Sequence, residues 1–309
     1  MEEGAGKSSA VTGTGSWDRN PPAAGNQLRL RDGRALGCAE YGDPGGRPVF
    51  FFQGTPSSRL LHPNAAITAA SSARLIVLDR PGFGLSDFQA GRTLLDWPDD
   101  VLEVAGLLGI GRFAVVGVSG GGPYVAACAY KIPQHLTAAA MVSSMGPVDE
   151  AGAAGGLPRV RRAGTVVARR APWLLRPLMW LLQNPGRNPD RFFRRYTAHN
   201  REPDRVLLSQ PEFSAMLKAS YAESARNGIR GFAWEVRIVS RPWGFRLEDI
   251  PIEVLLWHGE EDSSTPAGMA RQMASAIPNC RAVILPQEGH FLLFTHWQEI
   301  LAELLSESA

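Results

Sequence analysis

Short, continuous apolar runs recur along the chain: PVFFFQ at 48–53, RLIVLD at 74–79, FAVVGV at 113–118, TAAAMVSS at 137–144, IEVLLWHG at 252–259 and RAVILP at 281–286. Runs of this length without polar alternation are the pattern of strands buried on both faces. Helical stretches of ten or more residues separate them, and strands alternating with helices predict a mostly parallel sheet with helices on both sides. Ahead of these runs, LRLR and RALGCAEY flank Asp32-Gly33 and predict an antiparallel hairpin with a two-residue connection. The alternation stops after Gly146 and resumes about a hundred residues later, followed by a helix near Gly268 to Ile277 and a last helix through Trp297 to Leu305. The interruption has Pro and Gly at both edges and Arg-rich helical stretches such as APWLLRPLMWLLQ and PDRFFRRYTAHN. The predicted organisation is an α/β domain of residues 27–146 and 249–309 carrying a helical cap inserted at 147–248, behind an N-terminal tail of residues 1–26.

Composition narrows the class. The chain has 309 residues, 44% hydrophobic and 20% charged, which fits a globular protein of enzyme size. No apolar stretch reaches the roughly 18 residues of a membrane span. Cys38, Cys128 and Cys280 are few, widely spaced and lack a CxxC, so neither a disulfide framework nor a thiolate metal site is expected, and a reducing, cytoplasmic setting fits. The first residues include Glu2 and Glu3 and no apolar core of a signal peptide. Their Gly, Ser, Ala and Thr content predicts a disordered tail. Thirty-two basic and thirty acidic residues give a net charge of +2, no basis for bulk attraction to nucleic acid. That balance hides a segregation, because residues 151–246 hold eighteen basic and six acidic residues, a net of +12, leaving −10 elsewhere. The same segment holds Trp173, Trp180, Trp234 and Trp243 with Phe192, Phe193, Tyr196 and Phe213. The favoured expectation is that its arginines solvate outer helix faces while its tryptophans pack it onto the core. Peripheral contact with an anionic membrane surface is the less favoured alternative.

The candidate chemistry lies at strand ends. Gly117-Val118-Ser119-Gly120-Gly121 follows FAVVGV and opens the apolar helical stretch GPYVAACAYKI, the strand–turn–helix context of a nucleophile elbow. A serine there sits at a helix N-terminus, where backbone N–H groups favour developing negative charge. A serine hydroxyl needs a base, itself oriented by a third group. Downstream, Asp262 in HGEEDSSTP and His290 in PQEGHF follow two successive strands, which makes them the candidate acid and base. Glu261, Glu260 and Asp149 compete with Asp262, but the spacing to Pro266 favours Asp262; His296, six residues past His290, is the competing base. His258, beside Gly259 at a strand end, reads as structural. The backbone N–H groups of Gly120 and of Thr55, in Gln53-Gly54-Thr55-Pro56 after VFFF, are the candidate oxyanion donors. The loop Asp79 to Ser86, with Gly82 and Gly84, reads as structural.

Together, Gln53 to Pro56, Asp79 to Ser86, Gly117 to Gly121, Gly259 to Asp262 with Pro266, and Gly289-His290-Phe291 resemble the α/β-hydrolase superfamily, in particular capped serine hydrolases whose early loop reads His-Gly-Thr-Pro. The resemblance covers about residues 28 to 306 and implies an eight-stranded, mostly parallel sheet with a cap inserted after the sixth strand. It implies Ser119 as nucleophile, His290 as general base, Asp262 as orienting acid, and Thr55 and Gly120 as the oxyanion hole. Gln53 departs from the pattern by replacing the histidine, and can supply a hydrogen bond but no charge. Ser119 excludes the aspartate-ester chemistry of similar epoxide hydrolases and haloalkane dehalogenases. The expected activity is hydrolysis of a carboxylic ester, or a related acyl bond, of a small apolar substrate, with no metal and no organic cofactor. Thioester hydrolysis or carbon–carbon bond hydrolysis on the same triad, and a hydrolase-fold receptor or scaffold with little turnover, are the alternatives.

Overall fold

A computed structural model of the chain describes residues 26–148 and 159–306. All but the last residue of the expected tail, and the competing acid Asp149, lie outside the described residues. Eight strands form one sheet: β1 (Asn26–Arg29), β2 (Ala35–Gly42), β3 (Arg47–Phe52), β4 (Ala73–Leu78), β5 (Phe113–Val118), β6 (Leu136–Val142), β7 (Val254–Gly259) and β8 (Cys280–Leu285). Their spatial order is β1-β2-β4-β3-β5-β6-β7-β8. β2 runs antiparallel to β1 and β4, and all other neighbours are parallel.

Most of the continuous apolar runs are explained by burial on both sides. Val49 and Phe51 face one hydrophobic core with Leu75, Val77 and Val116. Phe50 and Phe52 face a second with Ile76, Leu78 and Val115. Alternate residues of β3, β4 and β5 thus enter opposite cores, so neither face there has room for a polar position. The edge strand β8, which carries RAVILP, is instead only half-buried, with Arg281 and Ala282 exposed. The helices between the strands supply the outer layers: α1 (Ala65–Ala70), α2 (Trp97–Leu107), α3 (Gly122–Lys131) and, after β7, α10 (Ala267–Ala276), α11 (Leu292–Thr295) and α12 (Trp297–Leu305).

Two local expectations are corrected. Asn26, placed in the tail by composition, already pairs with Cys38 in β1. The hairpin loop has three residues rather than two: Leu30 N–H donates to Arg34 O at 2.8 Å and Gly33 N–H donates to Leu30 O at 2.9 Å. Gly33 takes φ +88°, the left-handed residue that a three-residue loop with a bulge requires.

Between β6 and β7 the described chain forms six helices: α4 (Arg159–Arg170), α5 (Pro172–Leu182), α6 (Pro189–Thr197), α7 (Glu202–Leu208), α8 (Pro211–Ser224) and α9 (Arg230–Val239). α9 packs against α4 and α5, while α8 packs against α6 and α7. The sheet itself sets where a site can form. From β3 the chain steps outward to β4 and then returns to place β5 on β3's other side. The loops leaving β3 and β5 therefore diverge at the carboxyl edge and open a crevice, the usual ligand position in such sheets.

Candidate active site

Ser119 stands at that crevice, directly after β5 and at the start of the turn that leads into α3. It holds φ +55°, a left-handed conformation that costs a non-glycine residue of order 1–3 kcal/mol and persists only when its surroundings enforce it. The neighbouring glycines show how. A Cβ on Gly117 would lie 2.6 Å from Gly121 O, and one on Gly121 would collide with the Phe52 carbonyl. Met145 N–H, beyond β6, donates to Ser119 O at 3.0 Å. Small residues at 117 and 121 are therefore a packing requirement of turning from strand to helix beside β3.

Asp262 and His290 come together from the loops after β7 and β8. His290 Nδ1 lies 2.8 Å from Asp262 Oδ2, with both side chains buried. Asp262 Oδ1 accepts from Ser264 N–H at 2.7 Å and Thr265 N–H at 2.8 Å, and the Thr265 hydroxyl is 2.7 Å from Oδ2. Burial opposes ionisation of Asp262, but the charge and hydrogen bond of His290, with His258 and Thr265, hold its carboxyl below the usual range. A carboxylate only accepts, so Nδ1 is the donor in this contact and Nε2 is the ring nitrogen turned away from Asp262. β5, β7 and β8 are parallel, so Ser119, Asp262 and His290 share one sheet edge.

The competing residues are engaged elsewhere. Glu261 pairs with Arg201, and Glu260 with Arg271. His296 Nε2 lies 3.0 Å from Glu288 Oε1, and that contact raises its pKa. Buried His258 points Nε2 at Thr265 O, 2.7 Å away, and burial lowers its pKa.

The early loop lies against the elbow. A Cβ on Gly120 would be 3.3 Å from Thr55 N, and one on Gly54 would be 3.4 Å from Ser119 Cβ. Gln53, at the departure from the histidine pattern, is buried and donates from Nε2 to Leu78 O at 2.9 Å, so its side chain ties the loop to the end of β4. The loop after β4 is organised around buried Asp79, which accepts from Arg59 N–H and Nη1 at 2.6 and 2.7 Å and from Leu85 N–H at 2.9 Å. Gly37 and Gly84 leave no room for a Cβ beside that carboxylate.

Four residues of the helical segment hold the site's loops, and the sequence marks only one of them, Tyr196, and that only as one of the segment's aromatics. Glu235, on α9, is fully buried with Arg80, Arg92 and Tyr124. Its Oε2 lies 2.5 Å from Arg92 Nη2 and accepts from Tyr124 OH at 2.7 Å. Arg80 Nε is 2.8 Å from Oε1 but lacks hydrogen-bond alignment, so that contact is ionic. Burial opposes the charge on Glu235, yet Arg80 and Arg92 outweigh it and hold the carboxyl below its usual range. Arg80 in turn donates to Gln53 O at 2.6 Å, Gly54 O at 3.1 Å and Thr55 Oγ1 at 2.9 Å. On α6, Tyr196 OH donates to Thr55 O at 3.0 Å, and on α8 Ser220 Oγ accepts from Ser58 N–H at 2.9 Å. On α7, buried Asp204 accepts from Phe291 N–H at 2.9 Å, beside His290, and from Asn200 Nδ2 at 2.8 Å.

The expectation for the tryptophans holds in half. Trp243 is buried and Trp234 partly so, its Nε1 donating to Arg92 O at 3.0 Å. Trp173 and Trp180 are exposed instead, because α5 buries only Leu175 and Met179. A cleft of about 1050 Å³ runs between α5, α6 and the loop after β7, past Trp180, Phe192, Tyr196 and Ser264; neither Ser119 nor His290 lines it.

This sheet, its elbow and its strand-end loops define the α/β-hydrolase class. A sequence model of the α/β hydrolase fold matches residues 47–296, and the chain belongs to that family. It is 29% identical over 237 residues, 72% of this chain and 80% of that protein, to a pimeloyl-acyl-carrier-protein methyl ester esterase of Nitrosomonas europaea. It is 26% identical over 266 residues, 81% of this chain and 83% of that protein, to a 2-hydroxymuconate semialdehyde hydrolase of Pseudomonas putida. Among solved structures, an enol-lactonase from Burkholderia xenovorans superposes with a TM-score of 0.67 at 17% identity, covering 91% of this chain and 99% of that one.

Proposed function

We propose that the protein is a serine hydrolase that cleaves a carboxylic ester, or a related acyl bond, of a small apolar substrate. The observation that carries this reading is Ser119 held at φ +55° between a strand and a helix, a strain that has a use if the hydroxyl must stand clear of the sheet. Ser119 attacks the carbonyl while His290 Nε2 takes its proton, and Asp262 fixes the tautomer by accepting from Nδ1. The N–H groups of Thr55 and Gly120 receive the oxyanion, each worth about 3 kcal/mol in the transition state. The adduct collapses by breaking the bond to the alcohol, which leaves with the proton from His290 Nε2. Water then attacks the acyl-enzyme with His290 again as base, and the acid departs as the proton returns to Ser119 Oγ. The segment between β6 and β7 acts as the cap, and its α6, α8 and α9 contacts to residues 55–58 and to Arg80 set the geometry of the oxyanion loop. The mechanism needs no metal or organic cofactor.

Similarity to a semialdehyde hydrolase supports a second reading, hydrolysis of a carbon–carbon bond by the same three side chains. Turnover of p-nitrophenyl esters graded by acyl length tests the first. Ser119→Ala should lower kcat by about 10⁴-fold or more and abolish fluorophosphonate labelling. Wild-type turnover in Ser119→Ala would refute the acyl-enzyme. Absence of ester cleavage with cleavage of a vinylogous diketone would favour the second reading.

A further inference from the structure

α5 is an apolar helix turned outward. Its eleven residues, PWLLRPLMWLL, bury Leu175 and Met179 and leave Trp173 74% exposed, Leu181 66% and Trp180 51%. At 100° per residue Trp180, Trp173 and Leu181 fall on one arc of the helix, away from the buried pair. Patches of this kind on a monomer mark a surface that something else covers. The residues beyond those described are poor in large apolar side chains. Residues 149–158 contain a single large apolar residue, Leu157, and residues 1–25 only Met1, Val11 and Trp17.

The surroundings of the patch indicate the occupant. Residues 159–200 contain ten arginines and one acid, Asp190. That acid is already paired with Lys218 at 2.9 Å. Arg170, Arg176, Arg187 and Arg191 are exposed on or next to α5 and α6, and the Arg187 guanidinium lies 4.5 Å from the Trp180 ring centroid. A two-fold dimer through this face would set each patch against its own copy and bring two cationic rims together. An anionic lipid surface has the opposite charge, accepts the leucine into its acyl region and the tryptophans at the headgroup level. Eleven residues at about 1.5 Å each cannot cross a hydrocarbon core of about 30 Å. Among the described residues no helix is long and apolar enough to do so.

We propose that the α5 face, with Trp173, Trp180 and Leu181 at its centre and Arg170, Arg176, Arg187 and Arg191 around it, docks the protein on anionic lipid surfaces. This goes beyond the acyl-transfer reading, and it is read by binding alone. The full chain is mixed with sucrose-loaded vesicles of phosphatidylcholine, either pure or with about one-third phosphatidylglycerol, and sedimented at low and high salt. The protein should partition at least about fivefold more strongly onto the anionic vesicles, and salt should release it. Trp173→Ser with Trp180→Ser should abolish binding. Arg170→Glu with Arg176→Glu should weaken it by about fivefold or more per arginine. All of these side chains are exposed, so thermal unfolding should be unchanged and a loss of binding is not a loss of fold. No sedimentation with either vesicle at low salt would overturn the proposal, as would equal binding to both. A dimer in sedimentation velocity that the serine substitutions dissociate, without vesicle binding, would overturn it in favour of a second copy.

Discussion

The helical segment between β6 and β7 has two unlike sides. On α7 and α9 it buries carboxylates: Asp204 is 2% exposed and Glu235 is fully buried. On α5 it exposes large apolar side chains. Both sides invert the ordinary partition of polar and apolar groups, and the reasons differ. Each inward carboxylate is tied to a loop of the candidate site, Glu235 by its ion pair with Arg80, which donates to Gln53 O, and Asp204 by a hydrogen bond from Phe291 N–H. Among the described residues, Trp173 and Trp180 make no such tie to a site loop, and Trp180 is met by the Arg187 guanidinium. One side of the segment therefore holds loops of the candidate site, and the other is turned outward.

The inward side should be the sensitive one, and Glu235 the most sensitive residue on it. Glu235→Gln leaves Arg80 and Arg92 buried without a carboxylate, and should lower unfolding stability by about 3–5 kcal/mol, measured in urea. Turnover should fall as well, because Arg80 holds three acceptors of residues 53–55. The pH dependence adds a sign. Arg80 and Arg92 depress the Glu235 pKa in the folded state against the pull of burial. Its stabilisation is thus complete above the unfolded carboxylate range and is lost as pH falls through the folded value. The difference between wild type and Glu235→Gln should shrink on acidification.

Asp204→Asn should have a smaller effect, about 1–3 kcal/mol, since the amide keeps one acceptor for Phe291 N–H. Here the sign reverses. Burial raises the Asp204 pKa despite the His290 charge and the amide hydrogen bonds. Its contribution is therefore greatest below the ordinary carboxylate range and declines as pH rises to the folded value. Two carboxylates of one helical segment with opposite pH slopes would show that the inward side is held by two separate devices. Identical slopes would reduce it to one.

Most of the sheet was legible because strands buried on both faces leave an unbroken apolar run, and because the elbow needs small residues on either side of Ser119. Asp262 and His290 were legible for a related reason, since each follows a strand that periodicity marks. Nothing local marks Glu235 or Asp204. Glu235 is 143 residues from Arg92, and Asp204 is 87 residues from Phe291. A lone glutamate on an amphipathic helix and an aspartate in a helix's first turn both read as solvent-facing. Charge counting located the unusual segment but could not distinguish its faces. The exposed tryptophans were misjudged because a buried aromatic is the more common case, and no sequence period tells which arc of a short apolar helix meets the core.

The smallest effect expected is on the outward side, and its smallness is what makes it informative. Trp173→Ser removes a side chain that is 74% exposed, so little packing is lost and unfolding in lipid-free buffer should move by no more than about 0.5 kcal/mol. Replacing an exposed indole with a hydroxyl also removes apolar area from water, which should leave solubility equal or higher. If urea unfolding instead shows a loss of several kcal/mol, Trp173 is covered in solution, by the chain or by a second copy. The contrast between the two sides would then fail. If stability holds while affinity for anionic vesicles falls, the residue serves no purpose in the folded monomer, and the outward side is a surface kept for binding.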